Sequence, residues 1–425
     1  MSGNSVAPQR DELREVLAVA LHAGQLLLEY GAGTARVEET VSRIGTALGA
    51  SGMDVWVTPT GMMVSAISSG DEHTRIVRIT HIGVDLGRVA AVVDVSRRAS
   101  AGELDRAGAS AALAAIATRR PVYGAVGDVS AAALSCACFA VLFGGGAWEF
   151  AVVLLTVGLV APIHRRLLRA GLGNLLTAAI TAGMLTLVVM ALTGAAANLL
   201  AAPQRLTWLP ATPLAPQIAI AAAVLLLTPG TVMVTAVTDL FMGDTLSGAA
   251  RALAAVMVLS MIAVGIWAAL LVSGVRLDII TRAPINLPLA LMMAFVSSLG
   301  AAMLSDIPPR LALAAALVGM LAYGARSAAL TLGLPAEAAV FLAGLAIGAL
   351  AEIFARLLRA PTLVFSTPGF VPLVPGVLGV GTVLAFVNAD YSSGVASLTR
   401  TLLVLGALAF GIGTVGAVVR AKNSQ

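Results

Sequence analysis

Charge is scarce in this chain. Asp, Glu, Lys and Arg make up 11% of its 425 residues, about half the fraction of an ordinary globular domain. That excludes a disordered polymer and an all-soluble enzyme. Aromatic residues, at 4%, leave little for stacking bases, and the modest excess of Lys+Arg 26 over Asp+Glu 22 falls mostly in short loops. This pattern is a topology signal, and no nucleic-acid partner is expected. The two cysteines, Cys136 and Cys138, lie two apart in an apolar run. At that spacing on a helix they point to different sides, so neither a disulfide nor a metal pair is expected, only small packing residues. Also missing are a Gly-x-Ser-x-Gly elbow, a metal-spaced histidine cluster and a Gly-Lys-Ser/Thr phosphate loop. The expectation is therefore no catalytic residues, no metal, no cofactor and no use of ATP. Residues 1–15 are polar, and no early run has the length of a secretory apolar core, so no signal peptide is expected.

What the chain has in abundance is apolar surface: 59% of residues are hydrophobic and the mean hydropathy is +0.95. Such a surplus needs lipid around it, and the length allows a small soluble domain plus roughly ten spans of about 20 residues each. The chain changes character near residue 125. Before it, residues 11–30 carry apolar positions at helical spacing with His22, Gln25 and Glu29 between them, and Gly31-Ala32-Gly33 stops that helix. Thr34 is the expected N-cap of a second helix to Leu48, with Glu38 near its positive end. MDVWVTPT, GMMVSAIS and TRIVRIT read as three short strands separated by Pro-Thr-Gly and Ser-Gly-Asp turns. Two further helices are expected over 85–98 and 102–119.

Beyond residue 125 the apolar runs predict spans over 127–145, 149–165, 174–200, 217–240, 247–273, 287–304, 308–327, 336–357, 361–388 and 394–419. Arg119, Arg120, Arg165, Arg166, Arg169, Arg251, Arg310, Arg356, Arg359, Arg420 and Lys422 then fall on one side. Arg205, Arg276, Arg282 and Arg326 fall on the other. The positive-inside rule puts both termini in the cytoplasm.

An internal repeat is the most informative pattern. Pairing residue n with n+146 sets Leu227, Pro229, Gly230, Asp244, Ser247, Gly248 and Gly265 against Leu373, Pro375, Gly376, Asp390, Ser393, Gly394 and Gly411 without a gap. Each copy holds five spans, an odd number, so the second must enter the membrane from the opposite face. The expected fold is a polytopic α-helical membrane protein of about ten transmembrane helices, built as two inverted five-helix repeats after a small soluble α/β domain. The expected boundaries are 1–125, 126–274 and 275–425. Thr228-Pro229-Gly230 and Val374-Pro375-Gly376 interrupt equivalent spans, Pro229 about 18 Å along its helix and so near mid-bilayer. Proline removes a backbone donor and glycine relaxes the chain, so both helices should break there. The second should break more thoroughly, since Pro368-Gly369 and Pro372 come first. A broken helix offers free N–H groups at one half-helix start, which suit a carboxylate, and free carbonyls at the other half's end, which suit an ammonium. Thr228, Pro229, Gly230, Thr231, Pro368, Gly369, Pro375 and Gly376 are the candidate substrate-binding residues.

Carboxylates near the membrane are Asp239, Asp244, Asp390, Glu352, Glu149, Asp128, Asp306 and Glu337. Asp244 and Asp390 are repeat-related, each followed by Ser-Gly, and either cap the next helix or carry protons. Glu352 either pairs with Arg356 four residues on or carries protons. Asp239 has no counterpart in the other copy and no partner in sequence, which makes it the preferred proton carrier.

GAGTARVEETVSRIGTALG followed by VTPTGMMVS, and AEIFARLLRAP followed by TPGFVPLVPG, resemble segments of the threonine/serine exporter (ThrE) family over nearly the whole chain. The resemblance implies a cytoplasmic domain, about ten helices, a bacterial plasma-membrane location, and export of threonine and serine coupled to the proton-motive force. Some relatives divide the plan between two subunits and export a dicarboxylate such as succinate. Matched onto the family's segments are Thr34, Arg36, Val37 and Glu38, then Glu352, Arg356, Pro361, Pro368, Gly369, Pro372, Pro375 and Gly376. The family's N-terminal domain is described as hydrolase-like, but Ser65, His73, His81 and Asp85 are scattered here, and Arg36 and Glu38 are expected to form ion pairs. A proton-coupled amino-acid exporter is thus the leading expectation, against a dicarboxylate exporter and a membrane-anchored hydrolase. The predicted midplane lacks Lys and Arg, which favours a zwitterion over a dianion. Expected partners are a small amino acid, protons and membrane lipid, with a homo-oligomer as a further option.

Overall fold

The computed structural model describes residues 6–68, 71–201, 215–275, 277 and 285–423. It opens with α1 (Val6–Glu29), α2 (Thr34–Ala47), an antiparallel sheet of β1 (Gly52–Thr58), β2 (Gly61–Ser68) and β3 (Asp71–Arg78), then α3 (Leu86–Ser100) and α4 (Arg106–Thr118). The register sets Val57 opposite Met62 and Met62 opposite Val77. Met62, Val64 and Ala66 alternate along β2 towards the buried side and pack under α1 and α2, as period-two patterning requires. Asp85 caps α3 through the Arg88 N–H at 2.8 Å. Asp105 caps α4 through the Gly108 N–H at 2.8 Å, which is why this helix starts at Arg106 and not at residue 102. Ser69 and Gly70 of the expected turn lie outside the described residues, as do Arg205, Arg276 and Arg282. One expectation is corrected here. Thr34 does not cap α2: Gly33 holds the cap position, and the Thr34 hydroxyl is engaged elsewhere.

The rest is a helical bundle: α5 (Gly124–Leu142), α6 (Ala147–Arg169), α7 (Asn174–Ala201), α8 (Pro216–Val224), α9 (Gly230–Phe241) and α10 (Thr245–Ser273). These are followed by α11 (Leu287–Leu304), α12 (Pro309–Thr331), α13 (Ala336–Leu358), α14 (Thr362–Phe370), α15 (Gly376–Val387) and α16 (Tyr391–Asn423). Among the described residues eight helices are long and apolar enough to cross a membrane, and two bent pairs, α8–α9 and α14–α15, bring the number to ten. The molecule is a mostly helical, polytopic membrane protein. Cys136 and Cys138 are both free and buried in α5.

Packing repeats along the chain. α10 lies on α7 and α16 on α13, α8 touches α5, α6 and α7, and α14 touches α11, α12 and α13. Close approach of α7 and α10 depends on Gly265, where a Cβ would come 2.1 Å from the Ala179 carbonyl. At the equivalent Gly411 of α16 a Cβ would come 2.4 Å from the Phe341 carbonyl. Small residues let membrane helices meet backbone to backbone.

Two apolar cores result. One unites α5–α8 and α10 and takes in Val380 and Leu384 of α15; the other runs from α1–α4 into α11–α14 and α16 through Ile307, Phe365 and Val404 and takes in Val234 of α9. The N-terminal segment is fastened to the second group at the α11–α12 turn. There the Leu86 N–H donates to the Ser305 carbonyl (2.8 Å), the Val122 N–H to Asp306 Oδ1 (2.7 Å) and the Tyr123 hydroxyl to the Ile307 carbonyl (2.7 Å).

Candidate functional site

Each bent pair is joined by one 3-10 turn, Leu225–Leu227 or Val371–Leu373, and then breaks. Backbone angles at the two breaks nearly coincide. Thr228 has φ −66°, ψ 124° against −63°, 127° at Val374, and Pro229 has φ −77°, ψ 56° against −79°, 58° at Pro375. Both prolines do what the sequence predicts: their missing N–H and fixed φ end one half-helix, and the glycine that follows starts the next. Neither start, at Gly230 or at Gly376, has a side-chain cap, so N–H groups of the first turn remain for other acceptors.

The bend is 64° in the first pair and 51° in the second, which corrects the expectation that the second copy is broken more thoroughly. Pro368-Gly369 lies inside α14 instead of breaking it, and Gly369 serves close packing, since a Cβ there would sit 2.7 Å from Val318 Cγ1 on α12. Pro372 sits in the first turn of a 3-10 segment, where a missing N–H costs nothing.

The broken helices run antiparallel, side by side: α8 packs on α15 and α9 on α14. Phenylalanine rings close over both starting glycines. A Cβ on Gly230 would come 3.1 Å from Phe370 Cζ, and one on Gly376 would come 2.9 Å from Phe143 Cζ. A cavity of about 280 Å³ opens beside the second break, between the breaks and the end of the bundle remote from the N-terminal segment. Pro372–Pro375 form one wall, and Phe143, Tyr323, Arg326 and Arg400 are among the other lining residues. Arg326 and Arg400 lie within α12 and α16.

At the opposite end, the loop before α2 covers the end of α9. Arg251 donates to Asp239 Oδ2 at 2.5 Å and to the Ala32 carbonyl at 3.2 Å, and the Thr34 hydroxyl donates to the same Asp239 oxygen at 3.3 Å. Asp239 is 2% exposed. The expectation that it lacks a partner is thereby corrected. Arg251, inside the expected span 247–273, lies near the start of α10, and the tight α9–α10 turn brings it back onto Asp239. Glu38 stands nearby on α2. Burial, then the negative charges of Asp244 and Asp239, hold its carboxyl above the usual range, with a backbone hydrogen bond from Val57 opposing them. Among the described residues Glu38 has no ion pair, and Arg36 pairs instead with Glu39 at 2.7 Å.

The other candidate carboxylates are occupied. Asp244 caps α10 through the Ser247 N–H (3.2 Å), and Asp390 accepts from the Ser393 N–H (3.1 Å) at the start of α16. Glu352 pairs with Arg356 at 2.8 Å, Asp128 with Arg165 at 3.0 Å and Glu337 with Arg400 at 3.6 Å. Glu149 accepts the Gly146 and Ala215 N–H groups at 2.8 and 2.9 Å. Ser65 bonds Thr74 at 2.5 Å and Asp85 caps α3, so neither is joined to His73 or His81 in a nucleophile–base pair. No cluster of metal-binding side chains occurs among the described residues.

Residues 18–273 match the family described as "Putative threonine/serine exporter", and residues 290–418 the one described as "Threonine/Serine exporter, ThrE". A protein of Escherichia coli (strain K12) named "Probable succinate transporter subunit YjjP" is 30% identical over 269 residues, covering 63% of this chain and 98% of its own length. Its namesake in Klebsiella aerogenes is also 30% identical, over 63% of this chain and 97% of its own. A "Probable threonine/serine exporter" of Mycobacterium tuberculosis (strain ATCC 25618 / H37Rv) is 26% identical over 421 residues, 95% of this chain and 75% of that protein. No solved structure matches. These names are those of transporters, not enzymes, and with two family profiles spanning nearly its whole length this chain belongs to the threonine/serine exporter family.

Proposed function

We propose that the chain is a secondary active exporter of small amino acids, threonine and serine, driven by the proton-motive force through proton antiport. The observation that carries this is the pair of helix breaks, equal in backbone geometry and set side by side in antiparallel helices, the second of them beside a cavity. Unwound backbone at membrane depth is stable only inside protein or beside a watery space, and transporters use such half-helix ends to hold charged ligands. Of the eight candidates Pro375 lines the cavity, while Thr228, Pro229, Gly230, Thr231, Pro368, Gly369 and Gly376 shape the broken helices around it. At about 280 Å³ the cavity lies below the roughly 300–1,000 Å³ of pockets for drug-sized ligands, which suits a small metabolite.

In this reading residues 1–125 form a cytoplasmic domain, and 126–274 and 275–425 are inverted five-helix repeats, with both termini cytoplasmic in a bacterial plasma membrane. The recurring packing pairs and the antiparallel breaks support the inverted arrangement. The domain is fixed to the second repeat at the α11–α12 turn, and among the described residues the Asp239–Arg251–Ala32–Thr34 hydrogen bonds tie it to the first. Rocking one repeat against the other must break those contacts. A proton on Asp239 removes the charge that holds Arg251 and opens that side, so Asp239 couples proton entry to opening towards the cytoplasm, where the proton leaves and the substrate loads. Asp244 and Asp390 as caps, and Glu352 as the partner of Arg356, serve structure first.

A second reading, export of a dicarboxylate, is favoured by the names of the E. coli and K. aerogenes relatives. Proteoliposomes loaded with labelled threonine or succinate separate the two when a pH gradient is imposed. Gradient-dependent loss of threonine supports the first reading and loss of succinate the second. Loss at the rate of protein-free liposomes, with turnover of an ester or amide, overturns both in favour of a hydrolase.

A further inference from the structure

Two guanidinium groups line the cavity at the second break, and neither is fully used. Arg326 lies about 8 Å from the end of α12, and Arg400 about 14 Å from the start of α16. Cations this far inside membrane helices are costly and mark ligand pathways or partners. Among the described residues Arg326 makes no ion pair or hydrogen bond; its guanidinium stands 5.9 Å from the centre of the Tyr323 ring. Arg400 reaches Glu337 only at 3.6 Å, well beyond the roughly 2.7–2.9 Å of a charge-assisted hydrogen bond. The contrast with Arg251, held at 2.5 Å by Asp239, is direct. One arginine has settled its bonds inside the protein, and these two have not.

We propose that Arg326 and Arg400 form a carboxylate-binding subsite in the cavity beside Pro375, where they take the acid group of the transported molecule. The assignment rests on the exporter reading for what is transported, but not for what is bound. At about 280 Å³ the cavity is of a size for a small molecule such as threonine or succinate, each with eight heavy atoms. With Glu337 beside Arg400 the local charge is one net positive, which balances one carboxylate. The uncapped start of α15 adds N–H donors on the same side. Apolar side chains make up most of the remaining wall, so a small methylated or methylene body fits there and a bulky polar one does not.

Isothermal titration of the purified full chain tests this with threonine, serine, succinate and threoninol, in which a CH2OH group replaces the carboxylate. The proposal expects the acids to bind and threoninol to fail. Arg326→Gln and Arg400→Gln should each raise Kd by about tenfold to a hundredfold, the worth of a lost charged hydrogen bond. Arg326→Lys and Arg400→Lys should fall between, with unfolding midpoints kept, so a folding defect in the Gln variants leaves the test intact. Whichever acid binds more tightly identifies the source of the carboxylate. Threoninol binding as well as threonine, unchanged Kd in both Gln variants, or no acid binding at millimolar concentration each overturns the subsite. Arginine-dependent binding without efflux from proteoliposomes sinks the exporter reading and leaves the subsite standing; efflux with unaltered Kd in the Gln variants does the reverse.

Discussion

Replacing Arg251 with alanine isolates the contact that ties the N-terminal segment to the first helical group. In the wild type this guanidinium satisfies Asp239 at 2.5 Å and the Ala32 carbonyl at 3.2 Å, with Asp239 2% and the Arg251 side chain 12% exposed. Arg251→Ala leaves a buried carboxylate with the uncharged Thr34, its hydroxyl at 3.3 Å, and no cation beside it among the described residues. Breaking a buried pair from one side costs about 3–5 kcal/mol, because the remaining charge loses its compensation. The change should therefore open the interface about a hundredfold or more often. Adding Asp239→Asn removes the stranded charge and should recover about half of the loss or more. Arg97→Ala is the control: its partner Asp94 is at 2.6 Å, but both side chains are largely exposed, so the loss should be far smaller than that of Arg251→Ala. Hydrogen exchange of the amides of Ala32–Val37, with unfolding midpoints in detergent, reads the effect. Unchanged exchange in Arg251→Ala, or a loss no larger than that of Arg97→Ala, would refute the latch.

Further outcomes follow from the same geometry. Gly230→Leu and Gly376→Leu push a side chain into Phe370 and Phe143; each should abolish efflux while the protein still reaches the membrane, and normal efflux in both removes the breaks from the mechanism. Gly87→Ala places a Cβ 2.2 Å from the Asp306 carbonyl, so docking on the α11–α12 turn should weaken by about 1–3 kcal/mol, measured as a lower unfolding midpoint. Glu38 binds its proton more tightly folded than unfolded, so its contribution to stability is complete below the ordinary value of 4.5 and is lost as pH rises through the raised one. Glu38→Gln should flatten that part of the stability–pH curve, and an identical slope in the variant contradicts the assignment.

Much of this architecture is legible in the chain because its causes are local. Pro229-Gly230 and Pro375-Gly376 break their helices wherever the fold places them, and Asp244 and Asp390 cap from three residues away. What escapes sequence reading depends on chain return. Asp239 meets Arg251 only because Met242–Asp244 turns α10 back along α9, and it meets Thr34 across 205 positions. Thr34 itself carries the residue type of a cap yet lies one position too late to serve as one. Arg326 and Arg400 look like loop or incidental charges until α12, α16 and the second break close around one space. The Pro368-Gly369 pair misleads for a related reason: the helix runs through it, and what its glycine answers is the proximity of α12.

The central claim is that the transported molecule rests in the cavity at the second of the two broken helices. A structure of the full chain in lipid nanodiscs saturated with threonine tests it most directly. The account predicts ligand density in the cavity beside Pro375, its acid end on Arg326 and Arg400, with both helices still interrupted at Pro229 and Pro375. Density confined to another part of the molecule, or continuous helices through both prolines, would contradict it.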